Sequence, residues 1–460
     1  MNRSMTPGKK PARKQGRAYS LAMPLAILAV VLGLLALQWT GKMPFGAAPT
    51  TTPPSVAPSP AATSQTTTAA ATAAPTTVGP TATPTPEPVR SVELVAVGDI
   101  ILHQSVIDGG LVTSKPEPFY DYTPAFQYIR PIIEAAGLAL ANYEGTLAGP
   151  PYSGYPFFCA PDAIADALLD TGFDVAWTAN NHTIDKGLEG VIRTANVFRG
   201  TGLTVVGTRP DEDSRSDCVL DVSGFKIGLL AYTFETIGTP TRKALNGIPM
   251  PAGADPLIDS FNPDRPEAFE RDLAAMLERA ETLRREGAEL ICLSLHWGQE
   301  YQTQSSRFQR DMAGRLADAG IELIIGHHPH VLQEIDVLKA SSGTGQTLVF
   351  YSIGNILHNM EYNTHNTKGY AQDAIIARIR LERADGRVRV AAAEYVPTYV
   401  TRVAKGSGTQ HLIVPVLAAI DDPASYQSVP AELAGSLERI RNVLGESSGT
   451  ETLPVSEKAR

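Results

Sequence analysis

The stretch IELIIGHHPH (321–330) decides how this chain folds and where its chemistry sits. Its first five residues, mostly Ile and Leu, suit a buried strand. Gly326 ends the run, and three imidazoles follow within four positions, His327, His328 and His330. Histidine is the commonest side-chain metal ligand near neutral pH. Three adjacent histidines have no structural task in a surface turn, so a metal or catalytic role accounts for them better. The His-X-His spacing sends the rings of His328 and His330 to one face of a short extended segment, where each could touch one of two adjacent ions. His327 then points the other way, as a structural residue or as support behind the ligands.

Outward from this stretch, the chain from residue 91 alternates β-rich runs with helical ones. The strand candidates are VELVAVGD (92–99), GLALANYE (137–144), FDVAWTAN (173–180), LTVVG (203–207), KIGLLAYT (226–233), AELICLSLH (288–296), IELIIGHH (321–328) and TLVFYSIGN (347–355). AIIARIRLE (374–382) and RVRVAAAEYVP (387–397) flank Asp385-Gly386 and should form a hairpin. Prolines at first turns and glycines just past the ends place helices at 161–171, 187–199, 266–286 and 305–319. An amphipathic helix is expected from Ala431, before a polar tail. The alternation implies an α/β domain, a largely parallel sheet covered by helices. Residues 234–265, with many Pro, Gly and Asp, read as a long loop near the site.

Polar residues gather where these strands end, and open α/β sheets bind ligands at the carboxyl ends of their strands. The set is Asp99, then Asn142 and Glu144, then Asn180, Asn181 and His182, then His296 and Glu300, then His327, His328 and His330, and finally Ser352 and Asn355. Five of the nine histidines belong to it. Asp99 puts a carboxylate at the tip of the first strand, and Glu144 is the best candidate to bridge two metals. Asn181 offers a neutral carbonyl oxygen. His182 beside it can donate or accept a proton, and Asp185 could hold that ring in one tautomer. The mix of donors suits two divalent ions, Mn, Zn or Fe, better than calcium or a thiolate-bound cluster. Two such ions ~3.5–4 Å apart activate water and clamp a charged substrate group.

The blocks GDIILH (98–103), NYEGTL (142–147), NNHTIDKGLEG (180–190), LHWGQEY (295–301), IIGHHPHVLQ (324–333) and YSIGN (351–355) carry a specific resemblance. In this order they resemble the CapA-type poly-γ-glutamate capsule synthesis family, itself similar to the calcineurin-like metallophosphatases. The likeness covers about residues 91–400. It implies a four-layer α/β/β/α metallophosphatase-like sandwich with a dinuclear site. Asp99, Glu144, Asn181, His296, His328 and His330 fall on its metal-ligand positions. His182 falls on the position of the histidine that protonates a leaving group, with Asp185 as its orienting partner. His103, Asn142, Glu300, His327 and Asn355 are candidates for the surrounding layer or for substrate contact. Two departures stand out. Asp99 is followed by Ile100-Ile101 rather than by the Asp-X-His of metallophosphatases, His103 coming two residues late, and Glu144 replaces the usual bridging aspartate.

The chain is 460 residues long, and its N-terminal part is not globular. Residues 1–20 hold six bases and no acid, and Leu21–Trp39 is a run of 19 uncharged residues. About 20 apolar residues cross a bilayer core as a helix, and the basic flank places the N-terminus in the cytoplasm. The expected plan is therefore a basic cytoplasmic tail (1–20), a transmembrane signal anchor (21–41), a disordered Thr/Pro/Ala-rich stalk (42–90), the main domain (91–405), and a C-terminal helix with a polar tail (406–460). A cleaved secretory signal is the alternative, with Gly-Ala-Ala at 46–48 as its cleavage site. Either way the domain is exported, and the anchor reading makes it a single-pass protein of the cell membrane.

Net charge is −9, and residues 1–42 contribute +7, which leaves −16 beyond them. So acidic a domain does not attract nucleic acid. A polyanionic ligand must be held locally, as by metal ions. Three cysteines are too few for a disulfide framework, although a Cys159–Cys218 bridge is open. Two functions follow. One is a metal-dependent hydrolase or transferase acting on an anionic cell-envelope polymer, poly-γ-glutamate or a phosphorylated glycan, through metal-activated water or hydroxide. The other is a non-catalytic polymer-binding or export subunit working beside capsule synthase subunits in the membrane.

Overall fold

The structure, a computed structural model, describes residues 90–445 except 116, 240 and 407, together with residues 454–457. The chain divides into two compact units, Met1–Thr83 and Pro84–Arg460, and the first lies wholly outside the described residues. The expected cytoplasmic tail, membrane helix and stalk up to residue 89 lie outside them too, as does most of the polar tail. Among the described residues no helix is long and apolar enough to cross a membrane.

The strands run in chain order as β1 (Arg90–Ile100), β2 (Leu138–Tyr143), β3 (Val175–Trp177), β4 (Thr204–Val206), β5 (Cys218–Val222) and β6 (Phe225–Phe234). Next come β7 (Thr236–Thr239), β8 (Arg242–Leu245), β9 (Ile248–Pro249), β10 (Ser260–Phe261), β11 (Leu290–His296) and β12 (Leu323–His327). The last are β13 (Ile335–Lys339), β14 (Gln346–Phe350), β15 (Asn355–Leu357), β16 (Asp373–Ala384), β17 (Arg387–Lys405), β18 (Gly408–Pro415) and β19 (Val455–Glu457).

The alternation suggested one largely parallel sheet; two large sheets form instead. The first has the order β18-β17-β16-β1-β2-β3-β4, with β15 beside β1 and β19 against β17. Its β1 to β4 are parallel, whereas β16, β17 and β18 run antiparallel. The second has the order β10-β6-β11-β12-β14-β13, with β5 on β6, and only its edges β5 and β13 are antiparallel. The split falls after β4, where no helix follows; β5 and β6 make a tight antiparallel pair and start the new sheet.

Successive side chains of a strand face opposite ways, and both faces of each sheet are covered. Leu94, Leu140 and Trp177 of the first sheet meet Leu229, Cys292, Ile325 and Phe350 of the second in one buried cluster. On the far side of the first sheet, Val95, Val97, Ala139 and Ala141 pack with Ala165 and Leu168 of helix Ala163–Thr171 and Phe198 of helix Gly187–Thr201. On the far side of the second, Ile291, Leu293 and Ile324 pack with Met276 and Leu283 of helix Pro266–Arg285 and Leu316 of helix Arg307–Asp318. The layers thus run helix, sheet, sheet, helix. Burial on both faces is why the central strands read as unbroken apolar runs.

Several local expectations shift. Helix Gly187–Thr201 runs through Gly200 and stops at Gly202, which takes φ 105°, the left-handed end that glycine permits. Helix Arg307–Asp318 starts behind Ser306, which forms a reciprocal capping box with Gln309. Residues 234–265 are no mere loop: β7, β8 and β9 form a separate three-stranded sheet there, and β10 returns to the second sheet. Beyond residue 405, β18 extends the first sheet, and Val416, Ala419, Leu433 and Ile440 join the cluster between the sheets. All three cysteines are free; Cys159 donates its Sγ to the Gly149 carbonyl at 3.2 Å, so no Cys159–Cys218 bridge forms.

Candidate metal centre

The carboxyl ends of β1, β2, β3, β11 and β12 converge on one buried polar cluster. At β1, a Cβ on Gly98 would lie 1.8 Å from the Gly354 carbonyl oxygen, so only glycine lets the 352–355 turn close against the strand end. The amide of Asp99 then donates to that same oxygen at 3.0 Å. At β2, the amide of Glu144 donates to the Ile100 carbonyl at 3.1 Å, which fixes Glu144 beside Asp99. Beyond β3, the Asn180 side chain donates to the Tyr143 carbonyl at 2.8 Å and accepts the His182 amide at 3.0 Å. These bonds pin the 180–182 turn against the end of β2.

His328 and His330 do not lie on an extended segment as expected. Their φ angles are 95° and 57°, in the left-handed region that costs a non-glycine residue free energy. The backbone nevertheless brings their ring centroids within 5.7 Å. The His328 amide donates to Asp99 Oδ2 at 3.2 Å, and that bond holds the bend.

Asp99, Glu144, Asn181, His296, His327, His328 and His330 are all buried. Asn142 donates to Asp99 Oδ1 at 2.7 Å, while Nδ1 of His327 and Nδ1 of His330 each lie 3.3 Å from an Asp99 oxygen. Around Glu144 Oε1 stand the Nε2 atoms of His296 at 3.7 Å, His330 at 3.8 Å and His182 at 4.0 Å. Asn181 Oδ1 lies 2.9 Å from His296 Nε2, and Asn355 Oδ1 lies 3.0 Å from His330 Nδ1. The Nδ1 of His182 pairs with Asp185 Oδ2 at 2.8 Å, and the same oxygen accepts the Phe158 amide at 2.7 Å.

Three overlapping donor groups, each with its atoms within 4.8 Å of one another, result: Glu144–His296–His328, Asp99–Glu144–His330, and Glu300–His328–His330. Glu144 is shared by the first two. Both Glu144 oxygens, His296 Nδ1 and His328 Nδ1 are buried with no hydrogen-bond partner. Unmade bonds at buried polar atoms cost about 1–3 kcal/mol each, and a divalent cation would satisfy several of these atoms together. The donor set therefore fits metal ions.

Electrostatics agree with that fit. Burial raises the Asp99 carboxyl, but the adjacent His327 and His330 outweigh it and hold the group well below the usual carboxylate range. Burial holds Glu144 well above that range, with His330 opposing in part. Burial also pulls His328 down to about 3 and His296 well below the ordinary imidazole value, so both rings are neutral, as metal ligands must be. For His330, burial is overcome by Glu144 and Asp99, which push it up to about 10.

Every residue singled out from the sequence lies in or beside this cluster, with His103 at its margin. His103 belongs to none of the donor groups; its Nδ1 accepts the Asn359 amide at 3.4 Å, and its ring meets Phe158 edge-on. Burial, then His330, push it down to about 4. Glu300, expected in the outer layer, is exposed yet shares a donor group with His328 and His330. Sequence reasoning missed Phe158, whose ring meets His182 at 4.7 Å, and Phe234, whose ring lies 4.6 Å from His328. Neither carries a polar signal, and each is far in sequence from the histidine it packs on.

The fold and the cluster define a mixed α/β protein with a candidate metal centre at the strand ends. A profile described as "Bacterial capsule synthesis protein PGA_cap" matches residues 93–360, more than half of the chain. The chain belongs to this capsule synthesis family. It is 27% identical to the "Capsule biosynthesis protein CapA" of Bacillus anthracis over 273 residues, 57% of this chain and 59% of that one. The chain thus spans less than two thirds of that relative. It is also 27% identical to the "PGA biosynthesis protein CapA" of Bacillus subtilis (strain 168), over 63% of this chain and 70% of that protein. Among solved structures, the calcineurin-like phosphoesterase YfkN from Bacillus subtilis matches at 16% identity and TM-score 0.36, over 77% of this chain and 98% of that one.

Proposed function

We propose that this protein serves capsule or poly-γ-glutamate biosynthesis as a membrane-anchored, extracytoplasmic metal-dependent hydrolase or transferase acting on an anionic cell-envelope polymer. The observation that carries the reading is the Glu144 carboxylate, buried with both oxygens unpaired among the Nε2 atoms of His182, His296 and His330. The layered fold is that of a metallophosphatase-like sandwich, held outside the cell by the apolar segment 21–41 and the stalk 42–90. Asp99, Glu144, Asn181, His296, His328 and His330 would hold two divalent ions, with Glu144 between them. When bound, such ions supply Lewis acidity to an anionic oxygen and activate water. Asp185 Oδ2 lies 2.8 Å from His182 Nδ1 and fixes the ring. That leaves His182 Nε2 facing the cluster, placed to hand a proton to a leaving group. The left-handed bends at His328 and His330 support this, since strain of that kind collects at functional sites.

One observation favours the second reading, a polymer-binding or export subunit beside capsule synthase subunits. His103 belongs to none of the donor groups and takes the Asn359 amide on Nδ1, which would leave one ion with fewer donors. Elemental mass spectrometry of the full-length protein, beside its H328A/H330A variant, tests the centre. About two equivalents of Mn, Zn or Fe and clearly fewer in the variant are expected; no metal in either protein would overturn it. On the metal-loaded protein, His182→Ala should cut turnover of phosphoesters or γ-glutamyl polymer ~10²-fold or more. A silent His182→Ala with polymer binding intact would select the binding role.

A further inference from the structure

The excursion between β6 and the helix Pro266–Arg285 encloses a cavity of about 560 Å³, within the roughly 300–1,000 Å³ of small-ligand pockets. Its walls follow in the chain directly from strands that pair with or pack against the metal centre. Thr233 of β6 pairs with His296 of β11, Phe234 packs on His328, and Glu235, the next residue, lines the cavity. On the other side, Phe261 of β10 pairs with Phe234, and Asn262 lines the cavity. Neighbouring strands stand about 4.8 Å apart, so the two strands that lead into the cavity lie one and two places, about 5–10 Å, from the strand that carries His296.

Its charges are arranged in two tiers. At the floor, buried Glu235 is fully engaged: Lys243 Nζ lies 3.0 Å from Oε1, Ser260 donates to Oε1 at 2.7 Å, and Asn262 donates to Oε2 at 3.2 Å. Lys243 also pairs with Asp255 at 3.0 Å. At the rim, by contrast, three guanidinium groups are underused. Arg242 spends its Nε on the Met250 carbonyl at 2.7 Å, and neither Arg265 nor Arg271 makes a side-chain hydrogen bond or ion pair with the described residues. Three underused arginines around one cavity are unexpected in a chain whose charge beyond residue 42 is −16.

We propose that this cavity is a subsite for a stretch of anionic polyamide, with carboxylates against Arg242, Arg265 and Arg271 and amide N–H groups toward Asp255 and Asp272. The inference rests on the metal centre acting on such a polymer and adds where the chain beyond the reacting unit is gripped. Guanidinium groups match carboxylates in a planar, two-point geometry. Asp255 and Asp272, which line the cavity beside the arginines, single out the polyamide. A phosphate polymer offers only acceptors and would meet them with repulsion, whereas an amide chain also brings donors.

The test titrates the full-length protein with a fluorescent γ-linked glutamyl oligomer, its neutral γ-linked glutaminyl counterpart and a linear polyphosphate. The wild type should bind the glutamyl oligomer alone, and added salt should weaken it. R265Q/R271Q should lose affinity by about tenfold or more while its metal content stays at the wild-type level. Equal affinity of variant and wild type, no binding by the wild type, or preference for polyphosphate would overturn the subsite. Arginine-dependent binding without metal-dependent turnover would leave the subsite standing and overturn only the enzymatic reading of the centre.

Discussion

Replacing Gly326 with alanine tests how the second sheet positions the histidines. Gly326 is the fourth residue of β12, directly before His327 and His328. A Cβ there would lie 2.0 Å from the Tyr351 carbonyl oxygen and 2.6 Å from Trp297 Nε1. Those two atoms are hydrogen-bonded to each other at 3.0 Å, and both residues are buried. The methyl group would thus wedge into an existing bond, and the backbone must open by about 1 Å to relieve it. Overpacking of this kind costs about 1–3 kcal/mol. Leaving the indole N–H and the carbonyl unpaired adds about 1–3 kcal/mol. The expected loss is therefore about 2–6 kcal/mol, a large share of a typical stability of about 5–15 kcal/mol. Urea unfolding followed by tryptophan fluorescence measures it. Metal–ligand distances tolerate only about 0.2 Å, so metal content should fall as well. A variant that loses under about 1 kcal/mol and keeps wild-type metal content would refute this account of how β12 aims its histidines.

Chelation of a metal-loaded sample should lower the melting temperature by several degrees, because an ion present at 100 times its Kd adds about 2.7 kcal/mol; an unchanged Tm would mean that no ion is bound to the fold. Asp373 and Arg439 pair at 2.6 and 2.7 Å and dock the helix Pro430–Leu444 on β16. Burial raises the Asp373 carboxyl from 3.8 to about 6 despite that pair, so the folded state holds its proton more tightly. This contribution to stability is full below pH 3.8 and is lost as pH rises through about 6. Arg439→Met removes the opposing cation and moves the window upward, leaving an uncompensated charge at higher pH. It should cost about 3 kcal/mol at pH 7.5 and much less at pH 5. Equal losses at both pH values, from denaturant titrations, would contradict the assignment.

The central strands were legible because burial on both faces leaves a continuous apolar run with a polar residue at its tip, as in VELVAVGD and IELIIGHH. The strands that were missed lie at edges or in small sheets. β5 and β13 are largely half-exposed, and β7 is half-exposed at Thr236 and exposed beyond it, so none shows such a run. Their place is set by a partner strand rather than by their own composition. β18 is buried along most of its length, but it begins only after the turn that ends β17, within a region read as tail. The cavity followed from none of its residues singly, because Arg265 and Arg271 come from the next helix and its start, while Glu235 and Lys243 come from the strands before it.

The residue types of the centre were legible, but the shape that joins them was not. Pro329 biases the residue before it toward extended backbone, so His328 reads as extended. In the structure His328 takes φ 95°. What overrides the local preference is a bond across 229 residues, from the His328 amide to Asp99 Oδ2. The same carboxylate takes Asn142 on its other oxygen and has His330 beside it. Asp99 is therefore both a metal-ligand candidate and the post around which the histidine turn bends. Residues so coupled are not independent donors. Loss of the Asp99 carboxylate would release the turn as well as one ligand, and its effect on the centre should exceed that of losing His296, which hangs on a regular strand.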